Sequence, residues 1–267
     1  MGRMEALILG IIQGLTEFMP ISSNGHMQLF RTLMGNDVLP AESLLFSVMV
    51  HFATALATII VFWKDVMRFF KGLFNPSQKE NFTFSISILV SMLPALLVGF
   101  FLEGFIENTF TGTAVYFIGI MFFITGFILI FANNTEEGDQ AVKPRSALVM
   151  GLVQAITLIP GLSRSGVTIA AALFQKVDRE EAVRFSFLMV VPLILGRALR
   201  DILAGGLTIE EGGIPLYLVL GFAGAFLTGL WVCRWMVHIV VTSNLNYFAV
   251  YLFFIGSFSI VAQFIDW

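Results

Sequence analysis

The sequence predicts an all-α integral membrane protein: an inverted-topology repeat with six transmembrane helices plus two re-entrant helical hairpins. Three observations predict it. The 267 residues are 57% apolar and 12% charged, against roughly 25% charged in soluble domains, and the mean hydropathy is +0.88. Six windows are free or nearly free of Asp, Glu, Lys and Arg over about the 20 residues that a helix needs to cross the hydrocarbon core. Two broken apolar stretches, 141 residues apart, match without a gap.

In that match Gly10, Gln13, Thr16, Ser22 and Gly25 fall on Gly151, Gln154, Thr157, Ser163 and Gly166, while Pro20 and Pro160 are one position out of step. Residues 4–18 and 22–34, joined by Met19-Pro20-Ile21, are each too short to span. Non-helical backbone at membrane depth is tolerated only where protein or a water-filled cavity satisfies its polar groups, so the pair is expected to enter and leave by one face. Spans are expected at 43–63, 81–102 and 108–135, followed by the polar linker 133–145. Residues 147–159 and 165–175 repeat the hairpin around Pro160-Gly161. Spans at 185–196 (extended by Arg-bearing turns), 212–233 and 239–265 complete the chain. Three spans per half is an odd number, so the second half is inverted and its hairpin enters from the opposite face. Short, interrupted segments at matching positions mark the functional centre of such repeats. The Phe46-Ser47 and Phe185-Ser186 pairs add weak support. The expected organisation is a single membrane domain, 1–267, with halves at 1–132 and 146–267.

Lys64, Arg68, Lys71, Lys79, Lys143, Arg145, Lys176, Arg179, Arg184 and Arg234 fall on one face, which the positive-inside rule makes cytoplasmic. Both termini and the first hairpin's mouth are then outside. Arg3 before 4–12 has a faint look of a signal peptide, but no small-residue cleavage site follows and the segment is expected to be retained. The net charge of −3 says nothing of partners, because placement outweighs the sum in a membrane protein. One cysteine, Cys233, excludes an internal disulfide.

Chemistry is expected at the hairpins. Gln13 and Glu17 are four apart and share a helix face. An ionisable group at membrane depth is a functional candidate by default, and a carboxylate beside an amide oxygen suits a hard cation, Mg²⁺ or Ca²⁺. Ser22, Ser23, Asn24 and Gly25 open the next short helix, whose unpaired N–H groups and partial positive charge bind anions; capping explains one of the four. His26 lies one turn after Ser23, where it could exchange a proton. Ser163, Arg164, Ser165 and Gly166 open the second hairpin's short helix in the same way. The Arg164 guanidinium suits phosphate oxygens, with pairing to Glu17 as the plainer reading. Thr168 reads first as a packing hydroxyl and is carried as a substrate contact. His51 is undecided between structure and function; Arg197, Arg200 and Asp201 close the fourth span on the outer side and read first as snorkelling side chains, with attraction of a polyanion at the outer mouth as the second reading. Together these groups suit a phosphate or pyrophosphate, with Ser23 as a nucleophile candidate. Walker-type loops, zinc-ligand spacings and Gly-x-Ser-x-Gly elbows are absent from the sequence.

These two motifs, Gln13-Gly-Leu-Thr-Glu17-Phe-Met-Pro20-Ile-Ser-Ser23-Asn24-Gly25-His26 and Pro160-Gly-Leu-Ser163-Arg164-Ser165-Gly166, with Arg184-Phe-Ser-Phe-Leu188 and Pro192, resemble the undecaprenyl pyrophosphate phosphatases of the bacitracin-resistance family, essentially end to end. The resemblance implies a phosphatase of the bacterial inner membrane that cleaves the C55 isoprenyl diphosphate to the monophosphate and inorganic phosphate, recycling the carrier of peptidoglycan synthesis. By motif position, Ser23 looks like the nucleophile, Glu17 a metal-linked acid, His26 the acid–base group and Arg164 the diphosphate clamp. Gln13 stands where the family takes Glu or Gln, and Asn24 where Thr is expected. The implied partners are the polyprenyl diphosphate and membrane lipids, with no nucleic acid; a homodimer is left open. Broken helices in an inverted repeat are also a transporter design, so a flippase of a phosphorylated polyprenyl lipid is the alternative.

Overall fold

The computed structural model describes residues 1–33, 40–110, 115–203, 214–262 and 264. Its helices are α1 (Arg3–Thr16), α2 (Ser23–Leu33), α3 (Pro40–Val61), α4 (Trp63–Phe74), α5 (Lys79–Phe110), α6 (Val115–Asn133), α7 (Pro144–Ile156), α8 (Arg164–Phe174), α9 (Arg179–Leu203), α10 (Leu216–Thr242) and α11 (Asn246–Ala262). Among the described residues the only β-pairing is an isolated bridge between Gln140 and Val177.

Five of these helices, α3, α5, α6, α9 and α10, are long and apolar enough to cross a membrane. The sixth expected span is α11, with 17 residues; at 1.5 Å per residue that is about 26 Å, a little under the ~30 Å hydrocarbon core. Phe100, Phe101, Phe131 and Phe254 point outward and are well exposed, which lipid accepts and water would not. The chain is an all-helical, multi-pass membrane protein.

Lipid gives no hydrophobic drive for helix association, so contact depends on close packing through small residues. The two hairpin helices obey this rule at positions matched by the 141-residue spacing. Helix α1 lies on α10, and α7 lies on α5. A Cβ on Gly10 would come within 2.2 Å of the Gly221 carbonyl oxygen, and one on Gly151 within 2.3 Å of the Ser91 carbonyl oxygen. Helix α6 packs on α11, and α3 on both α9 and α10.

Two elements differ from expectation. Helix α10 runs through Arg234 and His238 to Thr242, where a break after 233 is expected. Both side chains are exposed, so they reach for the interface without ending the helix. Helix α4 falls where no element is expected, because a search for charge-free windows passes over it. Its Val66, Phe69, Phe70 and Leu73 alternate with Lys64, Arg68 and Lys71 at helical spacing, as in helices that lie along a membrane surface. It is tied to α5 where Ser85 Oγ donates to the Phe69 carbonyl at 2.7 Å.

The α1–α10 seam sets the position of the first hairpin. Gly10→Ala should therefore lower unfolding stability by about 1–3 kcal/mol, the usual cost of overpacking, as a reduced melting temperature in detergent. An unchanged melting temperature would mean that the seam is looser than described.

Candidate active site

Helix α1 carries Gln13, and Glu17 caps its C-terminal end one turn on; Gln13 Nε2 donates to Glu17 Oε2 at 2.9 Å. The helix ends at Thr16, whose hydroxyl bonds back to the Ile12 carbonyl at 2.6 Å. The chain then reverses through Ser22, which sits in the left-handed region at φ 72°; a residue with a Cβ adopts it only when its surroundings insist. Three bonds hold it there. Ser22 Oγ accepts from Gly25 N–H at 3.3 Å, and the Ser22 carbonyl accepts from His26 N–H at 3.2 Å and from His26 Nδ1 at 2.8 Å. This reversal returns Ser23 to Glu17: Ser23 Oγ donates to Glu17 Oε2 at 2.7 Å.

The second hairpin turns at Gly161, φ 94°, and opens α8 with a side-chain cap, Ser163 Oγ accepting from Gly166 N–H at 3.1 Å. Its tip meets the first tip. Ser165 Oγ donates to the Met19 carbonyl at 2.9 Å, and a Cβ on Gly166 would lie 3.2 Å from the Pro20 carbonyl oxygen. Arg164 Nη2 donates to Glu17 Oε1 at 2.5 Å, while Nη1 reaches the Ser186 carbonyl at 3.5 Å. Thr168 shares a 2.6 Å hydroxyl bond with Ser186, fixing α8 on α9 behind the arginine.

A cavity of about 230 Å³ opens over this junction. Of the residues expected at the site, Glu17, Ser22, Ser23, Asn24, Ser163, Arg164 and Ser165 line it. Gln13 lies wholly buried behind Glu17. Gly25 and Gly166 are packing glycines: a Cβ on Gly25 would meet the Phe122 ring at 2.6 Å. Thr168 takes the packing role described above.

His26, expected beside Ser23 as an acid–base group, is not in the cavity wall. Its Nδ1 faces a carbonyl, which only accepts, so that nitrogen carries the hydrogen and Nε2 accepts from Tyr251 Oη at 2.8 Å. Spacing alone could not reveal this, since Tyr251 is 225 residues away. His51 does line the cavity, together with Ser47, Gln154, Thr157 and Arg197. His51 Nδ1 donates to the Ser47 carbonyl at 2.7 Å.

Among the described residues no three His, Cys, Asp or Glu side chains converge as a protein-only metal cage. Gln13 Oε1 is nevertheless buried without a hydrogen-bond partner beside the Glu17 carboxylate. Gln13 does not line the cavity and gives its Nε2 to Glu17, so of the expected pair only the Glu17 carboxylate is placed to share a hard cation with phosphate oxygens and water. The arrangement as a whole offers a serine hydroxyl bonded to a carboxylate, with an arginine and the starts of two helices lining the same space. That is the equipment for transfer of a phosphoryl group.

Comparison with known proteins gives the same picture. The family model described as "Bacitracin resistance protein BacA" matches residues 6–258. The chain is 45% identical to an undecaprenyl-diphosphatase of Christiangramia forsetii, over 96% of this chain and 97% of that one. It is 40% identical to an undecaprenyl-diphosphatase of Bacteroides fragilis, over 97% of each. It is 35% identical to one of Methanococcus vannielii, over 96% of this chain and 99% of that one.

The Glu17 side chain is 6% exposed and that of Arg164 20%. Arg164→Met should strand a buried carboxylate and destabilise the protein by about 3 kcal/mol, the low end of the range for breaking a buried pair because Arg164 keeps some exposure. Adding Glu17→Gln should restore most of the loss. A double-mutant cycle on unfolding in detergent with no coupling between the two would reject the pair as a structural tie.

Proposed function

This chain belongs to the bacitracin resistance protein family, and on that premise we propose that it is an undecaprenyl-diphosphatase. It is an integral membrane phosphatase that hydrolyses undecaprenyl diphosphate to undecaprenyl phosphate and inorganic phosphate, and so recycles the lipid carrier of peptidoglycan synthesis. The observation that bears most weight is the meeting of Glu17 from one hairpin with Arg164 from the other, 2.5 Å apart, beside Ser23.

In this reading the terminal phosphate enters the cavity and its oxygens take the Arg164 guanidinium and the N–H groups at the starts of α2 and α8. Ser23 Oγ forms the new bond to the terminal phosphorus as the bond to the bridging oxygen breaks, and undecaprenyl phosphate departs. Glu17 receives the hydroxyl proton along the existing 2.7 Å hydrogen bond, a reach suited to a general base. Water then hydrolyses the phosphoserine, and Ser23 recovers its proton. His26 acts at a remove, holding the Ser22 turn that presents Ser23. Glu17 would hold Mg²⁺ or Ca²⁺, which when bound neutralises charge on the phosphate oxygens.

The membrane arrangement follows the same proposal: six spans, α11 included, with 1–132 and 146–267 as inverted halves. The matched seams at Gly10 and Gly151 support it. The basic face, with Lys64, Arg68 and Lys71 on α4, is cytoplasmic, and both termini are outside the inner membrane. Helix α9 leaves that face at Arg179, and the cavity is lined by its later residues, Val190 to Ala198; the site thus opens toward the outer, periplasmic side. The prenyl tail stays in the lipid.

Purified protein in detergent should release inorganic phosphate from undecaprenyl diphosphate. Ser23→Ala should reduce release to background, and Arg164→Ala by about 100-fold or more, the scale of losing one preorganised donor, with both variants still inserted. Full activity in either would reject its role. Treatment with EDTA should stop release and added Mg²⁺ or Ca²⁺ restore it; indifference to chelation would remove the cation from the scheme. Movement of lipid between leaflets without phosphate release would favour the transporter instead.

A further inference from the structure

Gln154, on α7, lines the same cavity and is 3% exposed. Neither its Nε2 nor its Oε1 has a hydrogen-bond partner among the described residues. A buried polar group left unpaired costs about 1–3 kcal/mol, so an amide with both ends unpaired calls for an explanation. Nearby hydroxyls do not supply one, since Thr157 Oγ1 donates to the backbone carbonyl of Gln154 rather than to its side chain.

The two hairpins, compared position by position, explain how the amide comes to be unpaired. Gln154 stands where Gln13 stands in the first copy. Gln13 Nε2 has Glu17 one turn further on as its acceptor. In the second copy that place is taken by Leu158, which offers nothing. The acid is gone and the amide remains, facing a space that also holds the cations Arg164 and Arg197. Donors converging with cations on one cavity suit an anion rich in oxygen.

We infer that Gln154 is a substrate-contacting residue whose Nε2 donates to a phosphate oxygen of the diphosphate held at Ser23 and Arg164. The inference rests on the reading of this cavity as a diphosphatase site. It adds a contact from the first helix of the second hairpin, which otherwise supplies only packing.

Gln154→Met keeps the side chain's bulk and removes both polar atoms. It should raise the KM for undecaprenyl diphosphate, and the Ki and directly measured Kd of inorganic pyrophosphate, about tenfold, as expected for a hydrogen bond to a charged group. Its melting temperature in detergent should equal or exceed that of the wild type, because two unpaired buried groups have gone. Gln154→Glu, of the same shape, should weaken binding further by setting a carboxylate against the phosphates. A KM and Kd within twofold of wild type, or a lowered melting temperature for Gln154→Met, would overturn the inference and leave the amide a structural one. If the wild type releases no phosphate, the diphosphatase reading fails instead, and calorimetric binding of pyrophosphate to wild type and Gln154→Met still decides whether the amide meets a phosphate.

Discussion

The contact between Glu17 and Arg164 is the constraint on which the rest depends. A lone carboxylate in protein surrounded by hydrocarbon is too costly to stay ionised. Here it is met by an arginine from 147 residues away, by the Gln13 amide and by the Ser23 hydroxyl. Each partner comes from a different turn of chain, so the charge can be kept only if both hairpins are complete and touching. A folded site and a satisfied carboxylate are thus one condition.

That condition explains the broken helices. A continuous helix uses its own carbonyls and N–H groups and has none to offer a ligand. Ending α1 at Thr16 and beginning α2 at Ser23 frees backbone groups at depth, and the second tip satisfies part of them, as Ser165 does for the Met19 carbonyl. Glycines keep the supporting seams close enough for the tips to meet, at Gly10 on α10 and at Gly151 on α5. The positive φ at Ser22 is a local cost of aiming Ser23 at Glu17, and His26 Nδ1 bonds the Ser22 carbonyl there.

Much of this was legible in the sequence, for reasons that can be stated. Pro, Gly and Ser inside apolar runs break helices wherever they occur, so the hairpins could be bounded to within a few residues. Glu17 and Arg164 stood out because charge is rare in such surroundings. The direction of the His26 ring was not legible: three residues after Ser23 is the right spacing for partnership, but the ring is turned by the Ser22 carbonyl, by Tyr251 on α11 and by Phe122 against it. His51 could not be assigned because the cavity wall is made by tertiary contact. Helix α4 escaped because its signal is alternation of charge and apolar residues rather than absence of charge. The end of α10 was misjudged because Arg234, exposed on the helix surface, looks in sequence like a turn.

A repeated hairpin need not repeat its chemistry, and here the differences between copies are what make a site. The first copy keeps acid, serine hydroxyl and amide on one short segment, with Glu17 as the common acceptor. The second replaces the acid by Leu158 and places Arg164 next to Ser163, the counterpart of Ser22. Two identical tips carrying Glu17 would set like charges against each other, and two carrying Arg164 would do the same with opposite sign. Attraction between the tips therefore requires that they diverge. Once they have, the Gln154 amide on the second hairpin's first helix is left without a partner among the described residues, and on the reading proposed above an anionic substrate is the group that would supply one.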